Sequence, residues 1–196
     1  MNVLTTAGLA AGWLLLCAAA LPAQFSTREL ADGSAQRIGE VAPPWSTRGW
    51  INSTPLDVGQ LRGKVVLLRF FHNNPTGAVA LKELYDEFRE KGLAVVGLYT
   101  PDPMPTQTSV AEVRDLALAQ GFEFPVGLDT RWETLNRYWL DRADAQLTAA
   151  TFLIDREGRI RYIQPDGLYD RRSSHRPLRK EYDKLRRKIE ELLQTE

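Results

Sequence analysis

The chain has 196 residues, 43% hydrophobic and 26% charged, with 25 basic and 25 acidic side chains and a formal net charge of zero. That length admits one domain with a core of useful size, and the balanced charge gives no footprint for nucleic acid or another polyanion. The basic residues are nonetheless uneven: none precedes Arg28, and nine fall within residues 171–188 against Glu181 and Asp183. This cluster reads as the solvated face of a helix and its leading loop, with a docking surface for an acidic partner or lipid headgroups as the other reading.

Residues 3–21 are apolar, with Leu14, Leu15 and Leu16 at their centre, followed by Ala18, Ala19, Ala20 and then Leu21-Pro22-Ala23-Gln24. An apolar core followed by small residues is the pattern of a secretory signal peptide over residues 1–23. Two features depart from it: there is no positive n-region, and cleavage after Ala23 leaves Leu21 at the −3 position. The alternative is an uncleaved anchor of near-spanning length. Either reading makes the rest of the chain exported, periplasmic or extracellular, with a membrane contact only through an uncleaved N-terminus. The single cysteine, Cys17, lies inside this segment. As an acylated lipoprotein cysteine it would follow Leu16, where a small residue belongs. Removal of the segment leaves no thiolate nucleophile and no disulfide.

Residues 24–37 are polar and aperiodic and read as a linker, so the domain is expected over residues 38–196, with Gly39, Pro43, Pro44 and Trp45 in an irregular lead-in. Residues 64–71 (Lys-Val-Val-Leu-Leu-Arg-Phe-Phe) are a continuous apolar run of strand length, expected to be buried on both faces. Residues 73–77 break it. A helix follows, with Val79, Leu81, Leu84, Tyr85 and Phe88 as its apolar face and Gly92 as its stop. Residues 93–99 form a second buried strand, completing a right-handed βαβ unit with parallel strands. A second helix carries Val110, Val113, Leu116 and Ala117, with Thr108 or Ser109 as N-cap. Residues 124–126 read as a short strand, and Trp132, Leu135 and Trp139 as the face of a third helix. Residues 150–155 and 159–164 flank a tight turn and form a hairpin. The final helix has a one-sided stripe of Leu178, Tyr182, Leu185, Ile189 and Leu192.

This order is that of a thioredoxin-like α/β domain, a central mixed β-sheet with helices on both faces. The segments Gly39-Glu-Val-Ala-Pro-Pro-Trp45, Leu61-Arg-Gly-Lys-Val-Val-Leu-Leu68, Val95-Val-Gly-Leu98, Phe124-Pro-Val126 and Thr151-Phe-Leu-Ile-Asp-Arg-Glu-Gly-Arg-Ile160 resemble the TlpA-like disulfide reductases and the wider AhpC/TSA redoxin family. The resemblance covers roughly residues 38–163. It implies a Cys-x-x-Cys at the start of the helix after the first central strand, where the helix N-terminus lowers a thiol pKa. In the TlpA-like register the cysteine positions fall near Asn74 and Gly77 or Ala78. In the peroxiredoxin register Thr76 matches the family threonine and Val79 the peroxidatic cysteine. Neither register holds a cysteine. The family's cis-proline would precede Thr151, where this chain has Thr148, Ala149 and Ala150.

The degenerate loop is therefore the candidate binding site: Phe71, His72, Asn73, Asn74, Pro75, Thr76 and Gly77, with the cis-proline-equivalent Thr148, Ala149 and Ala150. It lies at the C-terminal edge of a central strand, where open α/β sheets bind ligands. The competing reading is a retired loop whose Asn and Pro serve turn geometry. No metal or other cofactor is expected, because His72 has only the distant His175 as a second histidine. Arg69, inside a buried strand, demands a partner; Asp129 or Asp155 is expected by topology, with anion binding as the other reading. Trp45, Trp132 and Trp139 read as core residues, with a peptide groove as the alternative. The functional expectation is a binding module without catalysis for a peptide, a protein partner or a small ligand. The alternative is the family's thiol–disulfide or peroxide chemistry, run through a non-thiol route or through partner cysteines.

Overall fold

The computed structural model describes residues 37–73, 77–102, 108–141 and 149–195. The expected signal or anchor segment with Cys17, the linker as far as residue 36, and Asn74, Pro75, Thr76 and Thr148 lie outside the described residues.

The six strands are β1 (Trp50–Ile51), β2 (Val65–Phe71), β3 (Leu93–Tyr99), β4 (Val126–Leu128), β5 (Thr151–Ile154) and β6 (Ile160–Gln164). They form one mixed sheet in the order β1-β4-β3-β2-β5-β6. β2 and β3 run parallel in unbroken register from Val65 opposite Leu93 to Phe71 opposite Tyr99. β4 joins β3 in parallel, while β5 joins β2, β6 joins β5 and β1 joins β4 antiparallel. The apolar run at 65–71 is central because only a strand covered on both faces can carry seven consecutive buried side chains.

Alternation along β2 feeds two cores. Val65, Leu67 and Phe71 face one cluster, and Val66, Leu68 and Phe70 the other. The first is covered by α1 (Ala78–Phe88), α2 (Val110–Ala119) and α4 (Arg176–Gln194). The second is covered by α3 (Glu133–Leu135), its π-turn continuation (Asn136–Leu140) and the 3₁₀ turn Val58–Leu61. Helices on both faces and the mixed sheet bear out the expected thioredoxin-like class. The stripe on α4 behaves as its spacing requires, with Tyr182, Leu185 and Ile189 buried. Ser109 is the N-cap of α2 and makes a reciprocal capping box with Glu112.

Several details differ from expectation. Val79 is 54% exposed, because Ala78, Leu81, Leu84 and Phe88 set the buried side of α1 and a residue one step from Ala78 turns away from it. The short strand starts at Val126 rather than Phe124. Trp132 stands before α3 in the left-handed region (φ 58°), and the buried stripe runs through Leu135, Tyr138 and Trp139 instead. β1 and the 3₁₀ turn carry no hydrophobic period that would reveal them. The 3₁₀ turn is announced only by the Asp57/Gln60 capping box.

Gly97 sits where β3 meets both neighbours, and a Cβ there would fall 2.8 Å from the Phe71 ring and 3.4 Å from that of Phe124. Gly97→Ala is expected to destabilise the domain by about 1–3 kcal/mol through overpacking. Urea unfolding checks this: the midpoint falls with an unchanged m-value.

Candidate functional site

Phe71 ends β2 buried, edge-to-face with Tyr99 and Phe122 at centroid distances of 5.8 Å. Its carbonyl accepts hydrogen bonds from the Thr100 amide (2.8 Å) and hydroxyl (3.1 Å). Phe71 is thus an anchor of the sheet edge, not a ligand-facing group. His72 is half-buried and Asn73 exposed, and the Asn73 Oδ1 accepts from the Tyr99 hydroxyl. Gly77 precedes α1 in the left-handed region (φ 78°). A Cβ on it would lie 3.0 Å from the Gly167 carbonyl oxygen and 3.2 Å from that of Tyr169. The segment after β6 therefore runs across the start of α1. Ala150 is buried, and its carbonyl accepts from the Phe70 amide at 2.9 Å, extending the β2–β5 ladder; Ala149 is half-buried.

Beneath this segment lies Arg69, 3% exposed and on the same side of β2 as Leu67 and Phe71. Its Nη1 donates to Thr151 Oγ1 at 3.1 Å, and its Cζ lies 5.6 Å from the centre of the Tyr169 ring. Gly167 (φ 64°) packs so tightly on the guanidinium that a Cβ there would sit 1.4 Å from Nη1. Burial lowers the Arg69 pKa from its ordinary value, while Tyr169 and Asp166 act in the opposite sense. The carboxylates expected to pair with Arg69 are engaged elsewhere. Asp155 Oδ2 pairs with Arg161 at 2.5 Å, and its Oδ1 accepts from the Arg159 amide at 2.7 Å. Asp129 Oδ2 accepts from the amides of Thr134 (3.0 Å) and Leu135 (2.8 Å), capping α3. Neither carboxylate reaches Arg69: Asp155 follows Ile154, which pairs with Val66 at the far end of β2, and Asp129 follows β4, two strands away, where it caps α3.

Asp129 holds a second feature. It is 1% exposed, and its Oδ1 is buried with no hydrogen-bond partner among the described residues. Burial raises its pKa above the ordinary 3.8, against the lowering effect of the amides that cap onto it. It forms part of the wall of a cleft of about 720 Å³ shared with Trp45, Trp50, Arg48, Asp57, Gln60 and Arg131. Of the three tryptophans singled out from sequence, Trp45 and Trp139 are core residues. Trp45 Nε1 donates to the Tyr138 hydroxyl at 3.0 Å, and Trp132 Nε1 donates to the Pro101 carbonyl at 2.8 Å.

This sheet order, with a degenerate loop between β2 and α1, defines a thioredoxin-like domain. Residues 38–163 match the AhpC/TSA family, and the chain belongs to it. It is 31% identical over 146 residues to the protein DipZ of Mycobacterium bovis and of Mycobacterium tuberculosis, covering 68% of this chain and 20% of theirs. The chain thus spans about a fifth of the length of these relatives. Among solved structures it is similar to a thiol-disulfide isomerase from Corynebacterium glutamicum (TM-score 0.58, 23% identity, 79% of this chain and 98% of the other). It is also similar to a thioredoxin-family thiol:disulfide interchange protein from Chlorobium tepidum (TM-score 0.57, 17% identity, 79% and 97%).

The loop residues singled out from sequence do assemble at one sheet edge, as far as they are described. Gly167, Tyr169 and Thr151, which enclose Arg69, and Trp50 and Gln60 of the cleft were not singled out. The run Pro165-Asp166-Gly167 signals a turn, but nothing local says that the turn folds back over β2. Among the described residues there is no cluster of three His, Cys, Asp or Glu side chains suited to a metal ion.

A raised Asp129 pKa means that the ionised folded form is penalised, so the penalty is present at neutral pH. It shrinks as the pH falls through the folded value and is gone below the unfolded value. Asp129→Asn, which keeps the shape and an acceptor for the capping amides, is therefore expected to be at least as stable as the parent at pH 7. Its advantage should close as the pH drops toward 4, near the ordinary value of 3.8. Thermal melts of both chains across that range check the sign.

Proposed function

We propose that this AhpC/TSA-family chain is an exported thioredoxin-like module that binds rather than turns over. It takes a peptide, a protein partner or a small ligand at the C-terminal edge of its sheet. The observation that carries the reading is the lack of any cysteine after Cys17. Thiol–disulfide exchange and peroxide reduction both proceed through a thiolate, and Asn, Thr or Gly at the helix start neither ionise near neutral pH nor bond reversibly to sulfur. The names of the structural neighbours concern dithiol chemistry in those proteins, and in this chain that chemistry would need cysteines from a partner. Export rests on the apolar residues 3–21 and the small residues after them. Among the described residues no helix is long and apolar enough to cross a membrane, so attachment would fall to the N-terminal segment.

Purified residues 24–196 are expected to show no insulin reduction and no peroxide consumption above a buffer control. Turnover by this cysteine-free chain would contradict the proposal. The positive φ and crowding at Gly77 favour the register in which Ala78 takes the second cysteine position and Pro75 the first. The Pro75→Cys/Ala78→Cys variant is expected to gain a thiol with a pKa below the unperturbed value of about 8.5. A folded variant titrating at the unperturbed value would show that the scaffold does not tune a thiol there.

A further inference from the structure

The charge of this chain is segregated. Residues 171–188 hold nine of its 25 basic side chains against Glu181 and Asp183, and a formal net charge of zero therefore leaves an acidic excess over the rest. The structure sorts these cations into two kinds. Arg172 pairs with Glu83, Arg186 with Glu87 and Lys188 with Glu191, each at 2.5 Å. Arg171, Arg176, Arg179, Lys180, Lys184 and Arg187 form no ion pair among the described residues. Arg176, Lys180, Lys184 and Arg187 recur at spacings of 4, 4 and 3 and are all exposed. That spacing puts them on one face of α4, opposite the buried Tyr182, Leu185 and Ile189. Glu181 is half-buried against the Tyr162 hydroxyl, which leaves Asp183 as the acidic side chain exposed along this ridge.

The ridge runs against local helix stability. Cations are unfavourable at the positive end of a helix, yet the first turn of α4 holds Arg176 and Arg179 and no acidic residue, and its N-cap His175 makes no capping hydrogen bond through its side chain. Arg179 donates to the carbonyls of Ser173 (2.6 Å) and Ser174 (2.9 Å), which draws the loop carrying Arg171 onto the helix. Loop and helix thereby present one basic surface. Exposed aliphatic side chains border it. Leu168, 39% exposed, comes three residues before Arg171, and the exposed Val79 lies one turn before Glu83, the partner of Arg172.

A cluster of Lys and Arg on the outside of an amphipathic helix suits the mobile charges of an anionic lipid surface. An acidic protein partner is the weaker fit. Preorganised side chains favour such an interface, and none of the four ridge cations is held by a hydrogen bond among the described residues.

We propose that the outer face of α4 and its leading loop dock this domain on an anionic phospholipid bilayer. Arg171, Arg176, Lys180, Lys184 and Arg187 meet the headgroup phosphates, with Leu168 and Val79 at the edge of the contact. The contact is peripheral and needs no spanning helix, so it forms with or without residues 1–23. It is independent of any redox or peptide-binding role of the sheet edge.

The test is co-flotation with large vesicles of residues 24–196, which contain both cores and every described element and omit the apolar residues 3–21. Vesicles of equal parts phosphatidylglycerol and phosphatidylcholine are expected to bind the domain at about 0.01 M salt and to release it at about 1 M, where the screening length falls to about 3 Å. Phosphatidylcholine alone is expected to bind it at least about tenfold less. A Lys or Arg near an anionic surface contributes about fivefold in affinity, so Lys180→Glu/Arg187→Glu is expected to weaken binding by at least about tenfold. Lys64→Glu/Arg114→Glu makes the same change in net charge at exposed residues away from α4 and is expected to bind as the parent does. Should the reversal disturb the helix, the neutral pair Lys180→Gln/Arg187→Gln replaces it, with a smaller loss in the same direction. No binding to the anionic vesicles at low salt would overturn the proposal, and so would equal binding to both vesicle types or an equal loss in the two Glu pairs. Capture by poly-glutamate with none by the vesicles would overturn it too, in favour of an acidic polypeptide.

Discussion

A guanidinium in the middle of a central strand is the constraint around which this end of the molecule is built. Arg69 has left water on a strand buried along its whole length, and a desolvated cation is tolerated only where polar groups close around it. Thr151 on the neighbouring strand supplies one acceptor, and the segment after β6 supplies the Tyr169 ring and the backbone at Gly167. Asp166 adds a favourable field. Only glycine fits at 167, both for its positive φ and because any Cβ would overlap the guanidinium. The course of the chain from β6 to α4 follows from that requirement. The segment is secured further along by an ion pair from Arg172 to Glu83 on α1 at 2.5 Å.

The same segment decides what the start of α1 presents. Once Gly167 and Tyr169 lie over Arg69, their carbonyl oxygens meet Gly77. Backbone oxygen atoms then stand near the positive end of α1. The sheet edge stays open on its other side, beyond β4, where α3 begins late and Asp129 is left with one oxygen to spare.

Much of the fold was legible because its central elements are long and uniform. The apolar runs at 65–71 and 93–99 admit no reading but paired buried strands, and the spacing from Leu178 to Leu192 admits only a one-sided helix. β1 escaped notice because two residues carry no period; it exists through its pairing with β4 and through Asn52, which donates to the carbonyls of Phe122 (2.8 Å) and Phe124 (3.2 Å). Trp132 left the expected face because it stands before α3 in the left-handed region, while Leu135 and Trp139 are buried as expected. At the site, the sequence marked Arg69 as needing company but offered the wrong carboxylates, since its company comes from a loop about a hundred residues downstream. The empty redox motif, by contrast, was plain from composition, since an absent sulfur needs no structure to be seen.

The central claim is that Arg69 holds the 164–170 segment against β2 and the start of α1. Amide hydrogen exchange on the parent chain and on Arg69→Met tests it most directly, with global stability measured alongside. The Gly167 amide, bonded to Gln164 Oε1 at 2.5 Å, should be strongly protected in the parent and should exchange at least about tenfold faster in Arg69→Met. Amides of β2 and β3 should keep rates set by global unfolding, and global stability should fall, because the variant removes one member of a buried polar cluster and leaves its partners behind. Equal protection of Gly167 in the two chains would contradict the account, and so would fast exchange at Gly167 in the parent.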